Sequence, residues 1–351
     1  MKILITGGTG FIGCYFVRRL LELGHQLSLL DLYPFEEGTY GIDPAAVAFL
    51  QGDIRDPAAL DVAMNGCQAV LHLAAAHHDF GISEQTFEAV NIQGSKTICD
   101  AMDRNGISSI CFFSTVAIYG EAPPPVDEDA SQQAVSPYGK TKLGAEKVFE
   151  KWVGKNENNR CLVIRPTVTF GPGNFANMFT LIKQIEKGMF LSVGDGQNFK
   201  SLSYVENIVE ATVKMWFEAK PEQPHYIAYN YVCKPDLSSR EIAGIIYEAL
   251  GKRPPRISVP YWLARTLALP LDWVIALTGK NLPVSGARIK KMAKAQTQYE
   301  SSKIRADGFE QSISLADGIQ KMVQWYVESG KQESVQGVKR RLPPAQPKRL
   351  D

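Results

Sequence analysis

No apolar stretch opens the chain. Met1–Leu4 runs straight into a glycine-rich turn, so no export signal is expected and the reading is of a cytoplasmic protein. The six cysteines (Cys14, Cys67, Cys99, Cys111, Cys161 and Cys233) form no C-x-x-C pair. That spacing disfavours a zinc site or a disulfide framework and points to buried thiols in a reducing compartment. Histidine is scarce, five in all, and the adjacent pair His77-His78 has the wrong spacing for a shared metal, so none is expected. No internal repeat is visible. The most apolar segment, Tyr261–Thr278, is broken by Arg265, Pro270 and Asp272 and is not expected to span a bilayer.

Net charge is also nearly absent, at +1, yet it is unevenly spread. Nine basic residues and one acid lie between Lys252 and Lys294, and five basic residues and one acid between Lys339 and Asp351. Such stretches attract phosphates, anionic headgroups or nucleic acid, or are simply a solvated face and tail. The reading taken forward is an anionic membrane surface, with no nucleic acid as partner. The competing reading is an internal cap over a pocket.

What is present is a regular alternation within 351 residues. Short β-branched or Leu-rich runs (Lys2–Thr6, Gln26–Asp31, Ala69–Leu73, Ile110–Ser114, Cys161–Arg165) alternate with helical stretches such as Phe11–Leu23 and Thr86–Met102. This rhythm predicts an α/β fold: a doubly wound parallel (Rossmann) sheet with a smaller C-terminal α/β substrate lobe. The expected division is a dinucleotide domain over 1–170, a lobe over 171–330 interleaved with the last core strands, and a basic, disordered tail over 331–351.

Gly7-Gly8-Thr9-Gly10-Phe11-Ile12-Gly13 follows a strand and opens a helix. Gly7, Gly10 and Gly13 let the backbone approach a pyrophosphate at the helix N-terminus, with Phe11 and Ile12 beside it. The next strand ends in Asp31, eighteen residues beyond Gly13, placed to accept from an adenosine ribose. No basic residue follows Asp31 until Arg55, so NAD is expected over NADP. Asp53 and Ile54, at a third strand end, are candidates for the adenine.

Ser136-Pro137-Tyr138-Gly139-Lys140-Thr141-Lys142 reads as a capped helix start. Tyr138 and Lys142 at i and i+4 share a face. A tyrosine is a poor base near neutrality, but an ammonium and a positively charged nicotinamide both favour its phenolate. Ser114-Thr115 at a strand end adds hydroxyls for a substrate oxygen.

With these residues in view, the chain resembles the extended short-chain dehydrogenase/reductase family, in its sugar-nucleotide epimerase/dehydratase branch. The resemblance rests on Thr6–Gly13, Leu71–Ala75, Asn91, Phe113–Gly120, Tyr138–Lys142, Arg165–Pro172 and Tyr204–Asn207, and spans residues 1–325. It implies Thr115, Tyr138 and Lys142 as the catalytic set. Leu73, Ala74, Ala75, Asn91, Ser114, Pro166 and Thr167 would join the cofactor site, and a homodimer is expected.

Dehydratases of the branch follow the threonine with Asp-Glu; here Val116 and Ala117 stand there, which disfavours dehydration. Several stretches, among them RPTVTFG and VGDGQNFKS, resemble bacterial 4-epimerases of N-acetylglucosamine linked through diphosphate to undecaprenol. The expectation is a 4-epimerase of a diphosphate-linked amino sugar, GlcNAc or GalNAc, lipid-linked or UDP-linked, for surface polysaccharide such as O-antigen. If the chain acts on a lipid-linked sugar, as this resemblance implies, Trp262 and Trp273 would sit at headgroup depth on a peripheral inner-membrane face. Lys200, Asn177 and Arg288 are the expected substrate contacts. Net oxidation of a bulky alcohol, such as a sterol-like 3β-hydroxyl, is the alternative. An NAD-sensing scaffold is a third reading, which the intact Thr115, Tyr138 and Lys142 disfavour.

Overall fold

The computed structural model describes residues 1–34, 41–77, 81–220, 222–255, 258–266, 269–270, 297–332 and 346. The first half lays down β1 (Lys2–Thr6), α1 (Phe11–Glu22), β2 (Gln26–Asp31), β3 (Ala48–Gln51), α2 (Pro57–Met64) and β4 (Ala69–His72). A continuous helical run follows as α3 (Glu84–Phe87), a π-turn over Glu88–Gln93 and α4 (Gly94–Arg104). Then come β5 (Ser109–Phe113), a 3₁₀ turn at Val116–Tyr119, α5 (Pro137–Val153) and β6 (Arg160–Pro166).

The second half adds β7 (Val168–Phe170), α6 (Asn177–Glu186), β8 (Phe199–Lys200), β9 (Leu202–Tyr204), α7 (Val205–Phe217), β10 (Tyr226–Tyr231), β11 (Leu237–Ser238) and α8 (Ser239–Ala249). It closes with α9 (Ser302–Ala306) and α10 (Leu315–Trp325).

Seven strands form one sheet in the order β10-β6-β5-β4-β1-β2-β3, and every pairing is parallel. The chain winds outward from β1 to β3, returns to β4 and winds the other way. The β1/β4 boundary is therefore the point where winding reverses, and it opens a crevice at the carboxyl ends of the strands.

Both sheet faces are covered, and the strand period of two decides which core each residue joins. Ile3, Ile5, Leu71, Cys111, Phe113, Leu162 and Ile164 enter one core with α1 and α7. Their neighbours Leu4, Val70, Ile110, Phe112, Cys161 and Val163 enter the other with α2, α4 and α5. Each fully buried aliphatic side chain contributes about 1.5–3 kcal/mol. All six cysteines are buried thiols.

The helix expected over Thr86–Met102 is present but irregular. The π-turn at Glu88–Gln93 inserts an extra residue that a 3.6-residue period does not register. Smaller β pairs build the lobe: β7 with β9, and β11 with β8, which Thr297 bridges at Lys200. Asn207 ties this lobe to the end of the chain. Its Nδ2 donates to the Ile313 carbonyl at 2.7 Å and its Oδ1 accepts from Ile313 N at 3.2 Å.

Candidate active site

The dinucleotide turn is built by close backbone approach. Gly7 has φ +73°, and a Cβ there would lie 2.7 Å from Ala74 N. A Cβ on Gly13 would lie 2.4 Å from the Gly7 carbonyl oxygen, so α1 begins against bare backbone. Gly10 donates to that same carbonyl at 3.1 Å. Phe11 and Ile12 open α1 with no side-chain cap on its first N–H groups. At the end of β2 the Asp31 carboxylate accepts from Thr9 N at 3.1 Å and Tyr33 N at 3.2 Å, which fixes it beside the turn.

Asp53 and Ile54 are buried just past β3. Arg55 clasps the Asp53 carboxylate with Nε at 3.0 Å and Nη2 at 2.6 Å. The first basic residue after Asp31 is thus engaged by an acid.

β4 and the loop after it are stitched to β1. Thr6 Oγ1 and His72 Nδ1 share a 2.7 Å hydrogen bond, Leu73 N donates to Thr6 O at 3.0 Å, and Ala74 N reaches Thr6 Oγ1 at 3.4 Å. Beyond Ala75, Asn91 takes over. Its Oδ1 accepts from Ala76 N at 2.8 Å, and its Nδ2 donates to Ala76 O and Thr141 Oγ1, both at 3.0 Å. Asn91 thereby braces the loop against α5. The π-turn places it there.

The catalytic helix starts as its sequence indicates. Ser136 Oγ accepts from Gly139 N at 3.0 Å, with Pro137 in the first turn. A Cβ on Gly139 would lie 2.6 Å from the Ala117 carbonyl oxygen, so this glycine lets α5 seat against the turn after Thr115. As a result the Tyr138 hydroxyl faces the Thr115 side chain, which favours its phenolate. Thr115 also caps its own turn, accepting from Ala117 N at 3.2 Å.

One helical turn on, Lys142 is 2% exposed and its Nζ lies 4.1 Å from the centre of the Phe112 ring. Among the described residues nothing hydrogen-bonds that ammonium. Burial pushes its pKa down to about 7, against the opposing pull of Glu146. Burial likewise pushes Tyr138 up to about 12, with the Thr115 hydrogen bond acting the other way. In both groups desolvation disfavours the charged form.

Pro166 ends β6, and Thr167 follows with its Oγ1 2.8 Å from Ser203 Oγ. Lys200 lies half-buried on β8 and Asn177 is exposed at the first turn of α6. His77 is exposed. Arg288, Trp273 and His78 lie outside the described residues, as do most of the basic stretch and the tail. No group of three or more potential ligands for a metal occurs among the described residues. The sequence reading missed Glu146, Arg165, Thr141 and Gly139. An acid one turn beyond Lys142 was the available signal.

These residues fit a dinucleotide. The glycine turn leaves space that any Cβ would fill, and among the described residues buried Ser114 Oγ at the crevice has no partner. Residues 3–230 match the model of the NAD dependent epimerase/dehydratase family. The chain belongs to that family, and its cofactor is NAD. It is 34% identical over 335 residues to N-acetyl-alpha-D-glucosaminyl-diphospho-ditrans,octacis-undecaprenol 4-epimerase of Escherichia coli O157:H7, covering 95% of this chain and 98% of that one. A mouse sterol-4-alpha-carboxylate 3-dehydrogenase is 25% identical over 297 residues, covering 81% and 78% of the two chains. In fold, the chain matches a Thermus thermophilus UDP-glucose 4-epimerase solved with NAD, with a TM-score of 0.70, 22% identity and coverage of 94% and 100%.

Proposed function

We propose that this chain is an NAD-dependent 4-epimerase of a diphosphate-linked N-acetylhexosamine. The carrying observation is that the Tyr138 hydroxyl faces Thr115, one helical turn from buried Lys142, at the crevice of the sheet. Val116 and Ala117 beside Thr115 have no acid–base capacity, so removal of water lacks its agents. NAD, when bound, supplies the acceptor and then the donor of the sugar C4 hydride. Tyr138 takes the proton of the 4-hydroxyl as the carbonyl forms, and Thr115 donates a hydrogen bond to that oxygen. When charged, Lys142 favours the phenolate. Rotation of the 4-keto sugar in the pocket presents its other face, and Tyr138 returns the proton as C4 is reduced.

The Escherichia coli relative supports the lipid-linked diphosphate as the substrate form. Lys200 and Asn177 are assigned to substrate, and Asp31 to the ribose of NAD. The test is to incubate purified protein with undecaprenyl-diphosphate-GlcNAc and UDP-GlcNAc in parallel, without added cofactor. Conversion of the lipid-linked sugar supports the assignment. Turnover confined to UDP-GlcNAc refutes the lipid-linked form, and stoichiometric NADH from an alcohol favours the dehydrogenase reading.

Work at an anionic cytoplasmic membrane surface belongs to the same proposal. Val259 N donates to Ser192 O at 2.9 Å and Gly194 N to Val259 O at 3.0 Å, which brings two exposed apolar segments side by side. Leu191 on one is 67% exposed and Trp262 on the other 68%, with Lys187, Lys252 and Arg265 nearby in the chain. Among the described residues no helix is long and apolar enough to cross a bilayer, so contact would be peripheral. Co-sedimentation with phosphatidylglycerol vesicles, weakened in W262A, is the expected result. No binding to such vesicles counts against it. A homodimer, implied by the family resemblance, is checked by light scattering on the eluting protein.

A further inference from the structure

α5 carries Tyr138, Lys142 and Glu146 at successive four-residue steps, and hence along one face. Glu146 is buried, and both its carboxylate oxygens are taken. Arg165 donates from Nε to Oε1 at 3.0 Å and from Nη2 to Oε2 at 2.7 Å. The chain of contacts continues outward. Arg165 Nη1 donates to the Tyr119 hydroxyl at 2.8 Å, Tyr119 donates to Asn230 Oδ1 at 2.8 Å, and Asn230 N donates to Glu128 Oε1 at 2.8 Å.

The groups around Lys142 can be named element by element. Tyr138 and Glu146 share its helix. His72 comes from β4, held neutral because burial and the Lys142 charge push its pKa well down. Phe112 comes from β5, and Arg165 from β6 with its charge met by Glu146. Among the described residues Glu146 is the carboxylate whose field opposes the desolvation of Lys142.

An arginine fork is charged at all working pH values and matches a carboxylate with two parallel bonds. Glu146 is therefore held by two bonds and is unable to swing over and close a contact pair with Lys142. The ammonium is stabilised at a distance while its three donors stay free.

We propose that Glu146, fixed by Arg165, is a positioning residue that favours the ammonium form of Lys142 while leaving it uncommitted beside Tyr138. This rests on Tyr138 and Lys142 being the reacting pair. With Glu146 in place, burial still brings Lys142 down to about 7, so loss of that anion would lower it further.

The test compares wild type, E146Q, E146D and the double variant E146Q/R165M. The double variant removes the unpaired guanidinium that would destabilise E146Q. The first readout needs no turnover: NMR titration of cofactor-free protein labelled with [6-¹³C]lysine, with the Lys142 signal identified by its loss in K142M. E146Q should lower the Lys142 titration midpoint by about one pH unit or more, the double variant should lower it less because the Arg165 charge leaves with it, and E146D should restore it. The second readout is kcat against pH with NAD bound. E146Q should lose about tenfold at pH 8, in line with the smaller charged fraction, and recover as pH falls. An unmoved Lys142 titration in both glutamine variants overturns the proposal, as does a kcat loss by one factor at every pH. A wild type that titrates as described but epimerises no sugar overturns the functional reading instead.

Discussion

Replacing Lys142 by methionine should stabilise the cofactor-free protein while abolishing turnover. The side chain is buried, lies over the Phe112 ring and has no hydrogen-bonding partner among the described residues. Burial holds its pKa at about 7, against an ordinary value of 10.5. At about 1.4 kcal/mol per pH unit, that displacement corresponds to about 5 kcal/mol of native-state cost. The native state binds this proton more weakly than the unfolded chain does. The cost is therefore complete below about pH 7, declines as pH rises from there towards 10.5, and is gone above. Methionine is unbranched, packs against aromatic rings and bears no charge. Equilibrium unfolding in urea, run from pH 6.5 to 9.5, should show K142M more stable at the acid end. The gap should close by about 1.4 kcal/mol per pH unit above neutrality. A gap independent of pH, or a wild type more stable throughout, would refute the account of a desolvated ammonium.

Other substitutions separate cofactor binding from folding. S114A deletes a buried hydroxyl that lacks a protein partner, so stability should hold or rise while kcat or NAD affinity falls; a clear loss of thermal stability would mean the hydroxyl is already satisfied. G13A forces a Cβ to within 2.4 Å of the Gly7 carbonyl, so NAD should no longer co-purify and stability should drop by about 2 kcal/mol, read by cofactor absorbance and thermal melting. N91A orphans the Ala76 amide and carbonyl, with a destabilisation on the order of 3 kcal/mol and weaker NAD binding in a fluorescence titration. Retention of full affinity in N91A would show that the loop holds its shape without the brace.

Much of this architecture can be read directly along the chain, for a physical reason. Strands that are buried on both faces appear as unbroken apolar runs, so β1, β2, β4, β5 and β6 fall within a residue of where the sequence places them. The glycine turn, Asp31, Thr115, Tyr138 and Lys142 are equally legible, because each sits at a strand end or on one helical face. The π-turn is not legible, since its extra residue arises from packing against α5 and breaks no compositional pattern. Arg165 and Glu146 are hidden for another reason. A buried ion pair joins residues nineteen positions apart, and neither residue type alone marks burial. The state of the Tyr138 and Lys142 protons is likewise a property of the assembled interior: sequence supplies the two groups, and desolvation sets what they hold.

The position of β10 bears on how such a chain is made. The strand that completes the dinucleotide sheet beside β6 comes from residues 226–231, after the chain has already passed through β7, α6, β8, β9 and α7. During synthesis the nascent sheet therefore keeps β6 as an open edge until the lobe has emerged, and an open parallel edge is a template for mispairing. A fragment ending near residue 170 would carry the glycine turn, Tyr138 and Lys142 and still lack the strand that closes its own sheet.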